Sequence, residues 1–335
     1  MKKVLVTIPD GAVKDTFMPE DIRAYLEKYF DVTYNETGEK LTKEELGKLL
    51  PNYDAVMTGW GSARFDHENL AGNNRLKLIV HTGGTVGNLV NDDVYDKGIR
   101  VFSGNNLYAE SVAEGTIAYI LMALRRLPDY VGLVRDGSWR KTDSLWEGLL
   151  ERSVGIVGLG TISRILIRML QPFRVNIKVF SHYEIEPEFL KKYHVEKASL
   201  NEIFSTCDVV SVHSALNAEN TGLIEKKHFE MLKDGSLFIN TSRGRVIDEE
   251  ALIEELKKER FNAVLDVFWK EPLAPDSKLR SLKNVYCIPH MAGPTLDRRK
   301  WITKALIDEM RAFFDGEETF DLEITRDLAK RMTAV

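Results

Sequence analysis

The fold of this chain is decided by one stretch near its middle, Ser153-Val154-Gly155-Ile156-Val157-Gly158-Leu159-Gly160-Thr161-Ile162-Ser163-Arg164. A β-branched run there meets a Gly-x-Gly turn, and apolar residues at helical spacing follow to Leu170. Strand, tight turn and helix in this order are typical of the nucleotide-binding entrance of a βαβ unit. Glycines let the backbone approach a pyrophosphate, whose charge the free amides of a helix N-terminus favour. An ordinary strand-to-helix turn is the alternative, since Ser163 replaces the third glycine.

Length and composition favour a globular protein that binds a small molecule. The chain has 335 residues, of which 44% are hydrophobic, enough for two domains with buried cores. The formal net charge is −5 and charges of both signs are interspersed, so the sequence predicts no basic surface for nucleic acid.

The cysteines and the apolar runs favour a cytoplasmic protein. Cys207 and Cys287 lie far apart, and neither has a Cys or His at metal-ligand spacing, so we expect free thiols and no metal site. The N-terminal apolar run ends at Pro9, and no apolar run approaches membrane-spanning length. We therefore expect neither secretion nor a membrane partner.

The remaining chain alternates β-branched runs with helical spacing, the pattern of a parallel α/β fold. Thr42 and Glu45 form a capping-box signature, and a long helix predicted over 108–127 ends at Pro128 and links two halves. In the first half, strands are predicted at 4–8, 55–58, 76–81 and 99–102, and a helix at 19–30. The second half forms another doubly wound sheet, and we expect a last helix over 297–314 to return to the first domain.

Several separated blocks resemble the D-isomer-specific 2-hydroxyacid dehydrogenase family. They occur in the family's order, whereas the chain before residue 71 matches only in pattern. The blocks are 111–114, 154–163, 212–213, 221–224, 240–244, 247–248, 265–267, 271–273, 288–290 and 292–293. The resemblance implies an α/β fold of two doubly wound parallel-sheet domains with an active site in the cleft between them. A flavodoxin-like substrate domain would comprise 1–107 and 297–335, and a Rossmann-type dinucleotide-binding domain 108–296.

Three residues match the family's catalytic positions, which implies hydride transfer between NAD(P)H and a small 2-keto or D-2-hydroxy acid. His290 would be the acid/base, because imidazole titrates near neutral pH, and Glu271 would orient its ring. Arg243 would bind the substrate carboxylate and polarise the reacting carbonyl, since its planar fork suits both oxygens. The backbone of Gly83 and Gly84, in a glycine-rich loop after a strand, would bind the same carboxylate; a plain connecting loop is the alternative.

The resemblance also implies which residues contact the cofactor. They are Gly158, Gly160, Thr161, Ile162, Ser181, His182, Ser214, Ser242, Asp266 and Gly293. Asp266 would hold the carboxamide, with a turn-capping role as the alternative, and Ser163 should only loosen helix packing slightly. Ser181 stands where an acidic residue usually binds the ribose of NAD, and no adjacent Arg or Lys could bind the phosphate of NADP. We predict NAD, with NADP as the alternative.

Other aromatic residues and histidines have less definite roles. Trp60 is predicted in a core, with the substrate pocket as the alternative. The resemblance to the family implies a homodimer that forms through residues 108–150. His81 either faces the cleft or is hydrogen-bonded at a strand end, and His213 is predicted to be structural. The remaining histidines, predicted to be solvated, are His67, His194 and His228.

Two functions share these residues. The leading interpretation is a 2-keto acid reductase. The alternative is an NAD(H)-sensing interaction protein of the corepressor type, which would retain the same fold and the same three residues.

Overall fold

The computed structural model describes residues 1–140 and 146–332. The chain forms two compact units, the first from Met1–Tyr108 with Pro294–Val335 and the second from Ala109–Gly293. The sequence places these boundaries after residues 107 and 296.

The first unit contains a five-stranded parallel sheet. Its strands are β1 (Lys2–Val6), β2 (Phe30–Tyr34), β3 (Ala55–Thr58), β4 (Leu78–His81) and β5 (Arg100–Ser103). The spatial order is β2-β1-β3-β4-β5, which is the flavodoxin-like order. Val4 and Val6 pack in one core cluster and Leu5 in another, because alternate residues of a strand point to opposite faces. Both faces are therefore buried, as the apolar runs predict.

Helices from the N-terminal and the C-terminal parts of the chain cover this sheet. They are α1 (Ala12–Phe17), α2 (Glu20–Glu27), α3 (Lys43–Leu49), α4 (Asp92–Asp96), α12 (Leu296–Asp315) and α13 (Arg326–Arg331). The predicted capping box of α3 is confirmed: the Thr42 hydroxyl accepts the Glu45 amide, and the Glu45 carboxylate accepts the Thr42 amide. Helix α12 packs on α1 and α2, which places the C-terminal segment in the first unit.

A long helix, α5 (Asn105–Leu124), begins in the first unit and ends in the second. Arg126 adopts a left-handed conformation with φ 51°, and α6 (Leu127–Arg135) follows with Pro128 in its first turn. The predicted end at Pro128 is therefore wrong. Proline is tolerated where it stands because the first turn of a helix leaves its amides unpaired.

Helix α5 is also the one helix of the described residues that is long and apolar enough to cross a membrane. The expectation that no apolar run reaches this length is wrong for it. Ala113, Ile120 and Leu124 pack in a core cluster of the second unit. The core helix of a water-soluble domain passes the same test of length and composition.

The second unit contains a seven-stranded parallel sheet. Its strands are β6 (Ser153–Val157), β7 (Asn176–Phe180), β8 (Val195–Lys197), β9 (Val209–Val212), β10 (Leu237–Asn240), β11 (Asn262–Leu265) and β12 (Val285–Cys287). The spatial order is β12-β11-β10-β9-β6-β7-β8. Counted from β6, this is the Rossmann order with one added strand. The point where the order reverses lies between β6 and β9, so the carboxyl end of β6 is the expected ligand site.

Five helices complete this unit: α7 (Thr161–Leu170), α8 (Pro187–Tyr193), α9 (Leu200–Thr206), α10 (Lys226–Met231) and α11 (Glu249–Leu256). Val154 and Ile156 of β6 pack in one core cluster and Val157 packs in the other. Buried clusters on both faces fix the strand, and the turn after it, in place.

Candidate active site

The glycine turn joins β6 to α7. Gly158 has φ 93°, and a Cβ there would lie 2.7 Å from the Ser214 Oγ and 2.9 Å from the Ser214 backbone nitrogen. Only glycine meets both conditions, because the left-handed conformation and the contact each disfavour a side chain. The close approach of these two segments shapes the start of α7.

The N-terminus of α7 is open. Gly160 is its N-cap and provides no side-chain cap, and a Cβ at Gly160 would meet nothing within 4 Å. Thr161 and Ile162 are the first helical residues, so their amides face the place that a capping group would otherwise fill. Open space, uncapped amides and the helix dipole fit the pyrophosphate of a dinucleotide.

Ser163 differs from the expectation that it would loosen the helix. The side chain is fully buried, and its Oγ donates a 2.6 Å hydrogen bond to the carbonyl oxygen of Gly158. The serine therefore ties the first turn of α7 to the glycine turn. A glycine could not make this bond.

The carboxyl end of β7 lies where the adenosine ribose would be expected. The Ser181 Oγ accepts the Tyr183 amide at 3.1 Å, and the His182 Nε2 lies 3.1 Å from the Asn220 Oδ1. His182 also packs edge-on against Phe180. Asn220 is the residue here that the sequence analysis missed, because it is 38 residues away in the chain.

Ser214 and Ser242 are buried at the ends of neighbouring strands. The Ser214 Oγ donates to the Val157 carbonyl at 3.3 Å, and the Ser242 Oγ donates to the Asn240 Oδ1 at 2.8 Å. Both hydroxyls thus fix loops of the second unit. Their predicted cofactor contacts stay predictions.

His290 and Glu271 form a hydrogen-bonded pair. The His290 Nδ1 lies 2.7 Å from one Glu271 oxygen, and the other accepts the Phe268 amide at 3.1 Å. The Glu271 carboxylate is thereby held by two hydrogen bonds. It fixes the orientation of the His290 ring through Nδ1 and leaves Nε2 out of this bond. The His290 side chain is 50% exposed, so a small molecule can reach it.

Asp266 anchors the segment that carries His290. Its carboxylate accepts the Met291 amide at 2.7 Å, the Ala292 amide at 3.1 Å and the Tyr119 hydroxyl at 3.1 Å. Its backbone carbonyl accepts the His290 amide, and His290 has φ 53°. These bonds match the turn-capping alternative for Asp266. Sequence analysis missed Tyr119, which lies on α5, 147 residues from Asp266.

Arg243 lies at the carboxyl end of β10. Its Nη1 donates to the Ser242 carbonyl at 2.7 Å. Burial lowers the pKa of the Arg243 guanidinium, and the nearby Glu271 charge opposes this shift. The next residue, Gly244, contacts the backbone of Phe268, since a Cβ there would lie 2.0 Å from the Phe268 carbonyl carbon. That contact brings the Arg243 segment against the segment leading to Glu271.

The last two predicted positions, Gly83 and Gly84, lie in the first unit after β4. A Cβ at Gly83 would lie 2.3 Å from the His81 Nε2, so the loop requires glycine there. The Gly84 carbonyl accepts the Ser103 hydroxyl at 2.9 Å. In the ranges 1–140 and 146–332, the amides of Gly83 and Gly84 donate to no acceptor. Gly293 of the second unit has open space around its Cα.

The other histidines are not part of this pair. His81 is buried with its Nδ1 2.9 Å from the Thr58 hydroxyl, and His213 with its Nε2 2.8 Å from the Ser211 hydroxyl. Burial lowers the pKa of each imidazole to about 4. The strand-end alternative for His81 and the structural role of His213 are thus supported by their contacts.

The predicted solvated position of His228 is wrong. The side chain is buried, and its Nδ1 accepts the Glu225 amide at the start of α10. His67 and His194 are exposed. Trp60 is 44% exposed, so its predicted place in the core is also wrong. Across the residues that the structure describes, no three His, Cys, Asp or Glu side chains form a group that could hold a metal.

Comparison with known proteins identifies relatives that belong to one enzyme family. The family model for the NAD binding domain of D-isomer specific 2-hydroxyacid dehydrogenases matches residues 117–292. The chain is 31% identical over 246 residues to the glyoxylate reductase/hydroxypyruvate reductase of Mus musculus, covering 72% of this chain and 75% of that protein. It is 30% identical over 261 residues to the D-3-phosphoglycerate dehydrogenase of Archaeoglobus fulgidus. That match covers 78% of this chain but only 49% of the relative's length.

Solved structures agree on the fold. A phosphoglycerate oxidoreductase from Rhizobium etli superposes with a TM-score of 0.81 at 23% identity, covering 97% of this chain and 99% of that one. The predicted α/β class, with two parallel-sheet domains and a Rossmann-type fold in one of them, is confirmed.

Proposed function

This chain belongs to the D-isomer specific 2-hydroxyacid dehydrogenase family, and from that membership we propose that it reduces a 2-keto acid to a D-2-hydroxy acid. The observation that carries the proposal is the 2.7 Å bond between the His290 Nδ1 and Glu271, in the same unit as the open glycine turn. A proton donor with a fixed ring and a dinucleotide site are the two parts that such a reaction requires.

The second unit fits a nicotinamide cofactor, whose C4 supplies the hydride that the C2 carbon of the keto acid receives. The amides of Thr161 and Ile162 would bind its pyrophosphate, and Gly158 and Gly160 would allow the close approach. Ser214, Ser242 and Gly293 belong to the proposed lining of this site.

His290 supplies the proton in this proposal. Because Glu271 accepts the Nδ1 proton, the Nε2 proton is the one delivered to the carbonyl oxygen as C2 gains the hydride. In the reverse direction, Nε2 accepts the hydroxyl proton. Glu271 stabilises the charged imidazolium in either direction.

Arg243 binds the anionic substrate. Its guanidinium is largely removed from water, which strengthens its attraction for a carboxylate. The planar fork can contact one carboxylate oxygen and the reacting carbonyl oxygen together, which polarises the carbonyl toward hydride attack. The unpaired amides of Gly83 and Gly84 are the second proposed carboxylate donors.

The substrate class follows from the relatives' names. They act on glyoxylate, hydroxypyruvate or 3-phosphoglycerate, which share a carboxylate next to the reacting carbon. We propose a small 2-keto acid for this chain. NAD is proposed as the cofactor, because no Arg or Lys adjoins Ser181 at the position where the ribose is usually bound. A higher kcat/KM with NADPH than with NADH would contradict that choice.

A homodimer is part of the proposal. Leu127, Val131 and Val134 lie on one face of α6 and are 51%, 49% and 52% exposed. Such an apolar stripe is typical of a surface that pairs with another chain. The predicted interface spans 108–150, of which residues 141–145 lie outside the described residues. A cytoplasmic location is proposed from the two free cysteines.

The test is turnover by variants. With glyoxylate, pyruvate and hydroxypyruvate, each with NADH and NADPH, we expect reduction by the wild type. His290→Ala and Arg243→Ala should each lower kcat/KM by about 10²- to 10⁴-fold while near-native melting temperatures persist. His67→Ala, at an exposed position, is the control. Near-normal turnover by both variants contradicts the mechanism, and a wild type without turnover but with NADH-dependent partner capture favours the corepressor alternative.

A further inference from the structure

An aromatic and cationic cluster lies at the carboxyl end of the sheet in the first unit. Trp60 lies two residues after β3, and Tyr108 lies in the first turn of α5, just after β5. Arg299 of α12 places its guanidinium carbon 5.0 Å from the centre of the Trp60 ring and 5.4 Å from that of Phe17. Open α/β sheets bind ligands at this end.

Arg299 has no anionic partner here. Its Nη1 donates to the Thr16 hydroxyl at 3.1 Å, while its Nε is buried without a hydrogen-bond partner. No carboxylate in the described parts of the chain lies within ion-pair distance of this guanidinium. A buried donor left unpaired costs free energy, so an anion that accepts a hydrogen bond from it would be strongly favoured.

The Tyr108 hydroxyl is a second buried group without a hydrogen-bond partner. Burial is the main cause that raises the pKa of this phenol. The Arg299 charge opposes it, and so does the Trp60 side chain, which lies near the hydroxyl without forming a hydrogen bond of normal geometry. The Tyr108 ring lies against Gly84, since a Cβ on that glycine would be 3.4 Å away. The cluster is therefore continuous with the loop whose amides are the proposed donors to the substrate carboxylate.

We propose that Arg299, Tyr108 and Trp60 form a subsite for a second anionic group on the substrate, a carboxylate or a phosphate at the far end of a 2-keto acid. The inference rests on the proposed function and narrows its substrate class. An anion can accept hydrogen bonds from both the Arg299 Nε and the Tyr108 hydroxyl. A keto acid with a short or apolar side chain leaves both donors unpaired. Trp60 stacks on the guanidinium and is 44% exposed, so its indole is the side chain that moves when the anion enters.

A purely structural role for the cluster makes a different prediction. A cation stacked on two rings would stabilise the fold without reference to the substrate. Arg299 variants would then lose stability and leave the preference among keto acids unaltered. The ratio of kcat/KM between a dianionic and a monoanionic keto acid separates the two roles.

The experiment measures that ratio for 2-oxoglutarate and 3-phosphohydroxypyruvate, each against pyruvate. In the wild type we expect at least one ratio above ten, and the preferred compound identifies carboxylate or phosphate as the second anion. Arg299→Gln should lower that ratio at least tenfold, and Arg299→Lys should restore part of it. Arg311→Gln is the matched control, because Arg311 lies on the same helix but stacks on the Tyr29 ring. A ratio unchanged in Arg299→Gln overturns the inference.

Two further measurements keep the proposal decidable. Tyr108→Phe should lower the ratio severalfold without lowering the melting temperature, since it removes only an unpaired hydroxyl. Should the wild type reduce no keto acid, the proposed function fails. The subsite is then judged by tryptophan fluorescence during titration with 2-oxoglutarate, compared with Trp60→Phe. A saturable signal that Arg299→Gln weakens at least tenfold supports the subsite, and a signal insensitive to that variant overturns it.

Discussion

Gly158 shows how closely the glycine turn is fitted to its neighbours. It has φ 93°, and its Cα faces the backbone of Ser214. Sequence alone predicts the turn, because the Gly-x-Gly stands between a β-branched run and apolar residues at helical spacing. It does not predict which residue the glycine contacts, since Ser214 follows a different strand.

Gly158→Ala should therefore weaken cofactor binding. The added Cβ would lie under 3 Å from Ser214, so the turn must shift and the N-terminus of α7 with it. We expect the Kd for NADH, measured by fluorescence titration, to rise at least tenfold. Gly235→Ala is the control, because Gly235 also has a positive φ, 79°, but has open space around it. Equal affinities in the two variants would contradict this account of the turn.

His81 makes stability depend on pH. Its pKa in the folded chain is about 4, below the value of about 6.5 in an unfolded chain, because burial disfavours the charged ring. Below pH 6.5 the unfolded state binds the extra proton first, so stability is complete above that pH and falls as the pH decreases toward 4. The loss attributable to this group approaches about 3 kcal/mol.

His81→Gln should remove that part of the pH dependence. In urea unfolding between pH 7 and pH 4, the variant should lose up to about 3 kcal/mol less stability than the wild type. His67→Gln, at a side chain that is 76% exposed, should follow the wild-type slope. Identical slopes for wild type and His81→Gln would contradict this account, because they would show that the ring takes up its proton equally in the folded and unfolded states.

The catalytic pair illustrates what sequence can and cannot show about side chains. Glu271 and His290 are predicted together because both match family positions, and the structure brings them to 2.7 Å. The bonds from Tyr119 and the Met291 amide to Asp266 leave no local pattern, because they join segments far apart in the chain. The sequence places His228 in solvent for the same reason, because its burial depends on the packing of α10.

At the scale of elements, central strands are predictable and edge strands are less so. β3 and β4 are buried at every position, which gives the continuous apolar runs that sequence analysis detects. The strands it missed, β2 and β8, are edge strands with exposed residues and only one neighbour each. Sequence analysis does not predict α6, because a proline usually marks the end of a helix, whereas Pro128 lies in the first turn of a new one.

Helix α6 carries the prediction at this scale. Val131→Asp places a charge in the middle of the proposed dimer surface, where burial without a partner is costly. We expect light scattering after size exclusion to show a dimer for the wild type and mainly monomer for the variant. Val13→Asp is the control, since Val13 is 48% exposed on α1. A wild-type monomer, or a variant dimer of unchanged stability, would contradict the proposed interface.

At the scale of the whole molecule, the doubly wound class is predictable from the sequence because strands and helices alternate over most of the chain. The strand order of each sheet agrees with a known doubly wound pattern. The substrate class is harder to predict from the sequence, because Trp60, Tyr108 and Arg299 come from three distant segments of the first unit. Their juxtaposition appears only once β3, α5 and α12 are packed.

The most direct test of the central claim follows the hydride itself. The enzyme would be incubated with NADH deuterated at C4, in separate samples for each face, and with the keto acid that it reduces fastest among those that give a chiral product. The account predicts one deuterium at C2 of the product, from one of the two faces only, and the D configuration at that carbon. A product without deuterium, or an L-2-hydroxy acid, would contradict it.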